Sequence, residues 1–501
     1  MSIRLIAIIR VTAGYLLTML FGVLVALIAV LYFYANSQPE LNQWHAAPLD
    51  NEFGEREFSQ FTHLDEYLAL EAKLFHELNN HIYDKAPANA SLASRFTPGS
   101  PVDPTGYMIN WNRTQILAAG QNAGEVKAKC LLVHGLTDSP YSLRSLAETL
   151  QAEGCSVVAL RLPGHGTIPA GLLDTENKYF SRAVELAALY LHEETHEALP
   201  FYVVGYSTGA TLAIEYAVKQ ISSSSETNQS LASEVLPPVD KLVLISPAMG
   251  LPKVAEFASW QRRAANLPGL GVLAWNALLP EYDPYKYNSF TINAAEQVYQ
   301  LTQKVSHDLA QWRLRDPHAE FPDTLTFMSA VDATVSVEAV VHDLYWHLNT
   351  KQHVLVVYDI DRTRYTPYLY NIDAMTNGLD LLNAEQPFSV TVVSNQLSQT
   401  NRLQIMKRVG GTISANEVDL NWPGDIYSLS HTALPIKYDD PIYGDSKLGE
   451  PGGVPLGGLN FKGERGILRI PPAQMNRLRY NPFYGYQEKQ ILSHLNLDNA
   501  Q

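Results

Sequence analysis

Phe201-Tyr202-Val203-Val204-Gly205-Tyr206-Ser207-Thr208-Gly209-Ala210-Thr211-Leu212-Ala213-Ile214-Glu215 is the stretch that decides how this chain folds. Its first four residues form an apolar run of the length of a buried strand, and from Ala210 the pattern turns helical. Between the two, Ser207 stands in a G-x-S-x-G frame closed by Gly205 and Gly209. Glycines on both sides let the backbone turn sharply and pack closely, which projects the serine hydroxyl out of the sheet. The amino terminus of the next helix favours negative charge developing nearby. The frame alone arises by chance, as a simple glycine-rich turn. The strand before it and the helix after it make a nucleophilic Ser207 the expectation.

Outward from this stretch, short apolar runs alternate with helical segments: Cys130–Val133, Cys155–Leu160, Lys241–Ile245 and Leu325–Ser329. Apolar runs separated by helices predict an α/β fold with a mostly parallel sheet covered on both faces. The residues between Met249 and Phe321 are rich in Trp, Tyr, Leu and Ala, including Trp260, Trp275, Tyr282, Tyr285 and Tyr287. They read as an inserted helical cap, its aromatics more in keeping with core than with binding surface. Ser222–Ser225 and the polar residues up to Pro238 read as a surface loop.

A nucleophilic serine needs donors for the oxyanion it creates, and backbone N–H groups from two loops commonly supply them. Thr208 is one candidate. The loop after the strand Cys130–Val133 offers Leu136 as the other, with His134 bracing that loop rather than moving protons. At this point the chain resembles the α/β-hydrolase superfamily, in particular its monoacylglycerol lipase-like and serine aminopeptidase-like branch. The matching stretches are Leu131–Pro140 (LLVHGLTDSP), Val157–Thr167 (VVALRLPGHGT), Val203–Ala213 (VVGYSTGATLA) and the later acid and histidine segments. The resemblance implies a mostly parallel central sheet flanked by helices with an inserted cap, no cofactor, no metal, and a triad in the order Ser, acid, His.

Asp332, just beyond the run Leu325–Ser329, fits the acid. A turn aspartate capping a helix near Val335 is the simpler alternative, and Asp359 and Asp361 are rival acids. His431, in Ser430-His431-Thr432-Ala433-Leu434-Pro435, fits the base, against a surface-loop histidine. His342 and His347 fall on different faces of a helix and make neither a metal pair nor a convincing base. The stretch between Asp332 and His431 is longer than one strand and one helix need. It holds two more strand-like runs, His353–Tyr358 and Phe388–Val393, so an insertion is expected there, with Arg362, Tyr365, Tyr368 and Tyr370 bordering the pocket or the surface.

At 501 residues, with 46% hydrophobic and 17% charged residues, the chain is neither disordered nor polytopic. Thirty-six basic residues against 51 acidic ones give a net charge of −15, which argues against nucleic acid as a partner. The two cysteines, Cys130 and Cys155, form no metal or redox motif; one bridge or two buried thiols are both open. Val11 to Tyr34 carries no charge over about 24 residues, enough for a spanning helix. Arg4 and Arg10 precede it and only acids follow as far as Glu55, so the positive-inside rule places the amino terminus in the cytoplasm and the body outside, in the periplasm if the source is bacterial. A cleaved signal peptide, with a processing site near Ala35, is the rival.

The chain then divides into a membrane anchor over 1–35, a linker and helical extension over 36–125 with a helix from Leu64 to His81, a first core half over 126–250, the cap over 251–321, a second core half with its insertion over 322–445, and a carboxy-terminal extension over 446–501, which is assigned no chemistry. The function expected is a membrane-anchored serine hydrolase acting on a small acyl ester, such as a monoacylglycerol or a short-chain ester. Two alternatives stand beside it. An aminopeptidase or amidase would use the same triad, with Glu281 or Asp283 receiving a free amine, and a catalytically silent binding protein could share the fold.

Overall fold

The computed structural model describes residues 3–46, 48–86, 94–120, 125–194, 198–225, 235–251, 258–332, 334–348, 350, 352–362, 377–395, 401–409, 412–423, 428–445 and 478–498. The apolar runs become strands of one ten-stranded sheet. In chain order the strands are β1 (Gln115–Leu117), β2 (Ala128–Val133), β3 (Cys155–Leu160), β4 (Phe201–Tyr206), β5 (Lys241–Ile245), β6 (Trp275–Ala277), β7 (Phe290–Thr291), β8 (Asp323–Ser329), β9 (Val354–Tyr358), β10 (Ser389–Ser394), β11 (Arg402–Val409) and β12 (Thr412–Asn421). Their order in the sheet is β1-β3-β2-β4-β5-β8-β9-β10-β11-β12, and β6 pairs with β7 in a separate ribbon. From β3 to β10 every neighbouring pair is parallel. Both edges are antiparallel, through β1 on one side and the β11–β12 hairpin on the other. Strands such as β2 and β4 are buried along their whole length, which is why they read as continuous apolar runs rather than alternating ones.

Helices cover the two faces. On one lie α2 (Leu64–Leu78), α4 (Asn177–Glu194), α5 (Thr208–Ser225) and α7 (Ile292–Arg315); on the other lie α3 (Arg144–Ala152) and α8 (Tyr484–His494). Helix α7 corrects one sequence expectation. It falls within the stretch read as a cap, yet Val298, Leu301, Val305, Leu309 and Trp312 belong to the main core. An apolar stripe at helical spacing buries equally well on a sheet or in a cap, so composition could not separate the two. Of the 251–321 stretch, the part before α7 holds α6 (Ala258–Ala265) and the β6–β7 ribbon. The insertion between Asp332 and His431 extends the sheet by β9, β10 and the β11–β12 hairpin. Arg362 in it is tied to Asp359, whereas Tyr365, Tyr368 and Tyr370 lie outside the described residues, as does the start of the carboxy-terminal extension.

Cys130 and Cys155 are both free thiols, fully buried in the core. Helix α1 (Ile3–Ser37) contains a 26-residue stretch, Thr12–Ser37, whose most apolar 18 residues have a mean hydropathy of 2.7 and are not buried by the rest of the chain. It is long and apolar enough to cross a membrane. Its last turns touch the body. Tyr32 Oη donates to Pro268 O at 2.8 Å, and Ala35 packs with Leu270 and Leu273.

The topology positions the site. From β2 the chain passes to β3 on one side, and β4 is laid down on the other side of β2, so the direction of strand addition reverses there. In open α/β sheets such a reversal leaves a crevice outside the carboxyl ends of the two strands. The loops that leave β2 and β4 at that crevice carry Leu136 and Ser207.

Candidate active site

Ser207 sits at the turn between β4 and α5 with φ at +53°, a left-handed conformation that a residue with a side chain adopts only under strain. The surroundings hold it there. Ser207 N donates to Ile245 O at 2.9 Å, while its carbonyl accepts from Ala210 N at 3.0 Å, Thr211 N at 3.2 Å and Ala248 N at 3.2 Å. The two flanking glycines answer to steric need. A Cβ on Gly205 would collide with the backbone of Gly209 and Ala210, and one on Gly209 with the carbonyls of Val133 and His134. The turn therefore closes against the end of β2, and a Cβ on Gly135 would come within 3.0 Å of Ser207 Cβ. Among the described residues, neither Leu136 N–H nor Thr208 N–H donates a hydrogen bond. Two free donors thus flank the serine, one on the loop after β2 and one at the first residue of α5, an arrangement able to receive a developing oxyanion.

The Leu136 loop is braced from within and from above. His134 Nε2 accepts from Leu162 N at 3.0 Å, which leaves Nδ1–H to donate to Gly135 O at 2.8 Å. Complete burial, with His165 beside it, holds its pKa far below the usual histidine value, so the ring is neutral and structural. From above, Tyr287 N donates to Thr137 O at 2.8 Å and Lys286 Nζ meets Asp138 Oδ2 at 3.1 Å. The sequence did not expose these last two contacts. A lone lysine between two tyrosines was the only signal, and it did not name its partner.

Asp332 follows β8. Its side chain is fully buried, and Oδ1 accepts from Thr334 N at 2.7 Å and Val335 N at 3.0 Å. Oδ2 accepts from the His431 backbone N–H and lies 3.1 Å from His431 Nδ1. Burial by itself would raise the Asp332 pKa. The imidazole beside it and the hydrogen bonds it accepts outweigh that, holding it below the usual carboxylate value and hence ionised. The turn-capping role weighed for Asp332 is real, and it is carried by the other oxygen of the same carboxylate. The rival acids have other partners: Asp359 is engaged by Arg362 at 2.8 and 2.9 Å and by Ser394 Oγ at 2.6 Å, and Asp361 accepts from Asn395 Nδ2 at 2.8 Å.

The His431 loop is held by the carboxy-terminal extension, a role invisible in the sequence. Ser430 Oγ donates to Leu478 O at 3.2 Å, Gln487 Nε2 to Leu434 O at 2.9 Å, and Asn481 N to Ile436 O at 2.8 Å. The structure thus brings Asp332 and His431 together, whereas Ser207 Oγ makes no hydrogen bond to His431 among the described residues. Catalytic hydrogen bonds are often long in ligand-free enzymes and tighten with substrate.

Glu281 and Asp283, considered as receivers of a free amine, are buried and already committed. Glu281 accepts from Asn288 N at 3.0 Å and Ser289 N at 2.8 Å. Asp283 is bound by Arg479 at 2.8 Å and by the Tyr443 hydroxyl.

Comparison with known proteins agrees with this fold. The chain matches the model of the alpha/beta hydrolase family over residues 130–386, and it belongs to that family. A thermostable monoacylglycerol lipase from Bacillus sp. (strain H-257) is 36% identical over 87 residues, which span 17% of this chain and 34% of that protein. The chain thus matches about a third of that relative's length. Solved structures similar to this chain include a monoacylglycerol lipase from Paleococcus ferrophilus (17% identity, 49% of this chain and 88% of that one, TM-score 0.35). A soluble variant of monoglyceride lipase from Saccharomyces cerevisiae matches similarly (14% identity, 49% and 82%, TM-score 0.37).

Proposed function

We propose that this protein is a membrane-anchored serine hydrolase that cleaves small carboxylic esters. The observation that carries the proposal is the strained Ser207 at the sheet's reversal point, flanked by two uncommitted N–H donors, in a chain whose ionised Asp332 orients a histidine. In the mechanism, His431 takes the Ser207 proton and the serine oxygen attacks the ester carbonyl. Leu136 N–H and Thr208 N–H hold the oxyanion, and Asp332 fixes the imidazole with Nδ1 protonated and stabilises its cation. The alcohol leaves with the proton returned by His431, and water then releases the acid from the acyl-serine. Each oxyanion donor contributes on the order of 2.7–4 kcal/mol to the transition state. The similarity to a monoacylglycerol lipase and the apolar helix α1 both favour an acyl ester of amphiphilic character.

With Glu281 and Asp283 committed internally, nothing in the described residues favours the aminopeptidase alternative. The test is hydrolysis of p-nitrophenyl acyl esters beside aminoacyl p-nitroanilides, by the parent and by Ser207→Ala. Ester turnover that vanishes in the variant supports the proposal; anilide turnover without ester turnover contradicts it. The orientation that goes with the proposal puts Arg4 and Arg10 in the cytoplasm and the hydrolase body outside it. The contacts of Tyr32 and Ala35 with the body favour a retained α1 over a cleaved signal peptide.

A further inference from the structure

We propose, on the footing that α1 spans the bilayer, that α6 and the turn after it form a second membrane contact, lying in the lipid interface beside the outer end of the anchor. Tyr32, an aromatic at the level where membrane helices place their interfacial belt, donates to Pro268 O at 2.8 Å. Ala35, one turn further on, is buried with Leu270 and Leu273, and Ala264 of α6 packs against the same cluster. These contacts set the turn at the depth of the interface. The side chains presented there are apolar and basic. Trp260 and Leu267 are 51% and 54% exposed; Trp260 and Arg263 share a face of α6 by the spacing i, i+3, and Leu267 stands in the turn that follows it. The guanidinium of Arg263 makes no ion pair among the described residues.

Charge selects the occupant. The whole chain carries −15, yet residues 258–280 contain no Asp or Glu and two arginines; Arg262 is matched by Glu296 at 3.6 Å, which leaves Arg263 as the cation this segment offers on a molecule that an anionic surface otherwise repels. An exposed tryptophan and leucine with an adjacent arginine, continuous with a bare apolar helix, fit the headgroup and upper acyl region of an anionic bilayer. The consequence is that the segment preceding the β6–β7 ribbon, and through it Lys286 and Tyr287 above the Leu136 loop, is referenced to the membrane surface.

The test uses the full chain in phosphatidylcholine vesicles with and without phosphatidylglycerol. A bimane label is placed on Leu267→Cys or, as control, on Glu320→Cys, just before β8 at the opposite end of the parallel strands; the native cysteines are fully buried. The bimane on Leu267→Cys should be quenched by lipids spin-labelled near the headgroup at least about threefold more than that on Glu320→Cys, and adding Arg263→Glu should weaken the quenching in the anionic vesicles. Protein that floats with the vesicles but shows equal quenching at the two sites overturns the inference and leaves the anchor intact. Protein that does not float with vesicles overturns both. Concentration-dependent self-association in detergent that protects the Leu267→Cys bimane, without lipid quenching in vesicles, would assign the face to a second copy and overturn it as well.

Discussion

Asp332 carries two jobs on one carboxylate, and the residue scale is where they can be separated. One oxygen caps the turn at Thr334 and Val335; the other meets His431 at both its backbone N–H and Nδ1. In Asp332→Asn the oxygen can still serve one set, but the amide NH2 then faces the other and favours the wrong imidazole tautomer. We expect kcat for a p-nitrophenyl ester to fall by about 10⁴ with the chain still folded, judged by its circular dichroism. A loss under tenfold would mean that Asp332 is only a turn residue. At the same scale Ser207 was the clearest signal in the sequence, because a G-x-S-x-G frame between a strand and a helix states both its chemistry and its geometry. Asp332 and His431 needed the family resemblance to be singled out. Nothing local distinguishes Asp332 from Asp359, and only the folded chain shows the latter held by Arg362.

Elements carry the next level of constraint. The turn from β4 into α5 packs so closely on β2 that Gly209 admits no side chain. Gly209→Ala should destabilise by about 1–3 kcal/mol through overpacking and reduce activity by moving Thr208 N–H, read together from a urea titration and from kcat. Unchanged values would show that β2 can retreat without consequence. The His431 loop leans on α8 through Gln487, which is fully buried and also accepts from Tyr358 Oη at 3.3 Å and Asn481 Nδ2 at 3.1 Å. Gln487→Ala removes these three bonds, leaving Asn481 Nδ2 and Leu434 O only their long 3.4 Å contact with each other. It should cost about 1–3 kcal/mol and lower kcat while KM stays near its parent value; a kcat equal to the parent's at the same folded fraction would show that α8 is structural only. Among elements, the parallel strands were legible because strands buried on both faces read as unbroken apolar runs. The short antiparallel β1 and the exposed β12 lack that mark. Helix α7 was visible as a helix, but whether its stripe faced a sheet or a cap depends on long-range packing.

The whole molecule should respond to acid through its buried histidines. His45, His165 and His353 are almost completely inaccessible, and burial lowers each pKa to about 4. The unfolded chain binds protons at these rings near pH 6.5 while the folded chain does not. The stability they confer is therefore complete above pH 6.5 and is lost as pH falls toward 4. Each contributes roughly 1.4 kcal/mol per pH unit within that window. Glu281, whose pKa burial raises to about 7, acts in the opposite sense and offsets about one histidine. The net expectation is a fall in the urea midpoint from pH 6.5 to pH 4.5, and a flat or rising midpoint would contradict it.

Composition at this scale told much about what the chain is not, and the uncharged run at its start told of a helix fit for a bilayer. What it could not tell was that the end of that helix touches the body at Pro268. Contacts between segments so far apart in sequence leave no local pattern.

The most direct test of the proposed chemistry is covalent labelling of the detergent-solubilised full chain with a fluorophosphonate probe, comparing the parent with Ser207→Ala and His431→Ala. The parent should label and both variants should not, because the probe reports a serine made nucleophilic by its base. A folded parent that stays unlabelled, or labelling that survives Ser207→Ala, would contradict the assignment of Ser207 as the activated nucleophile.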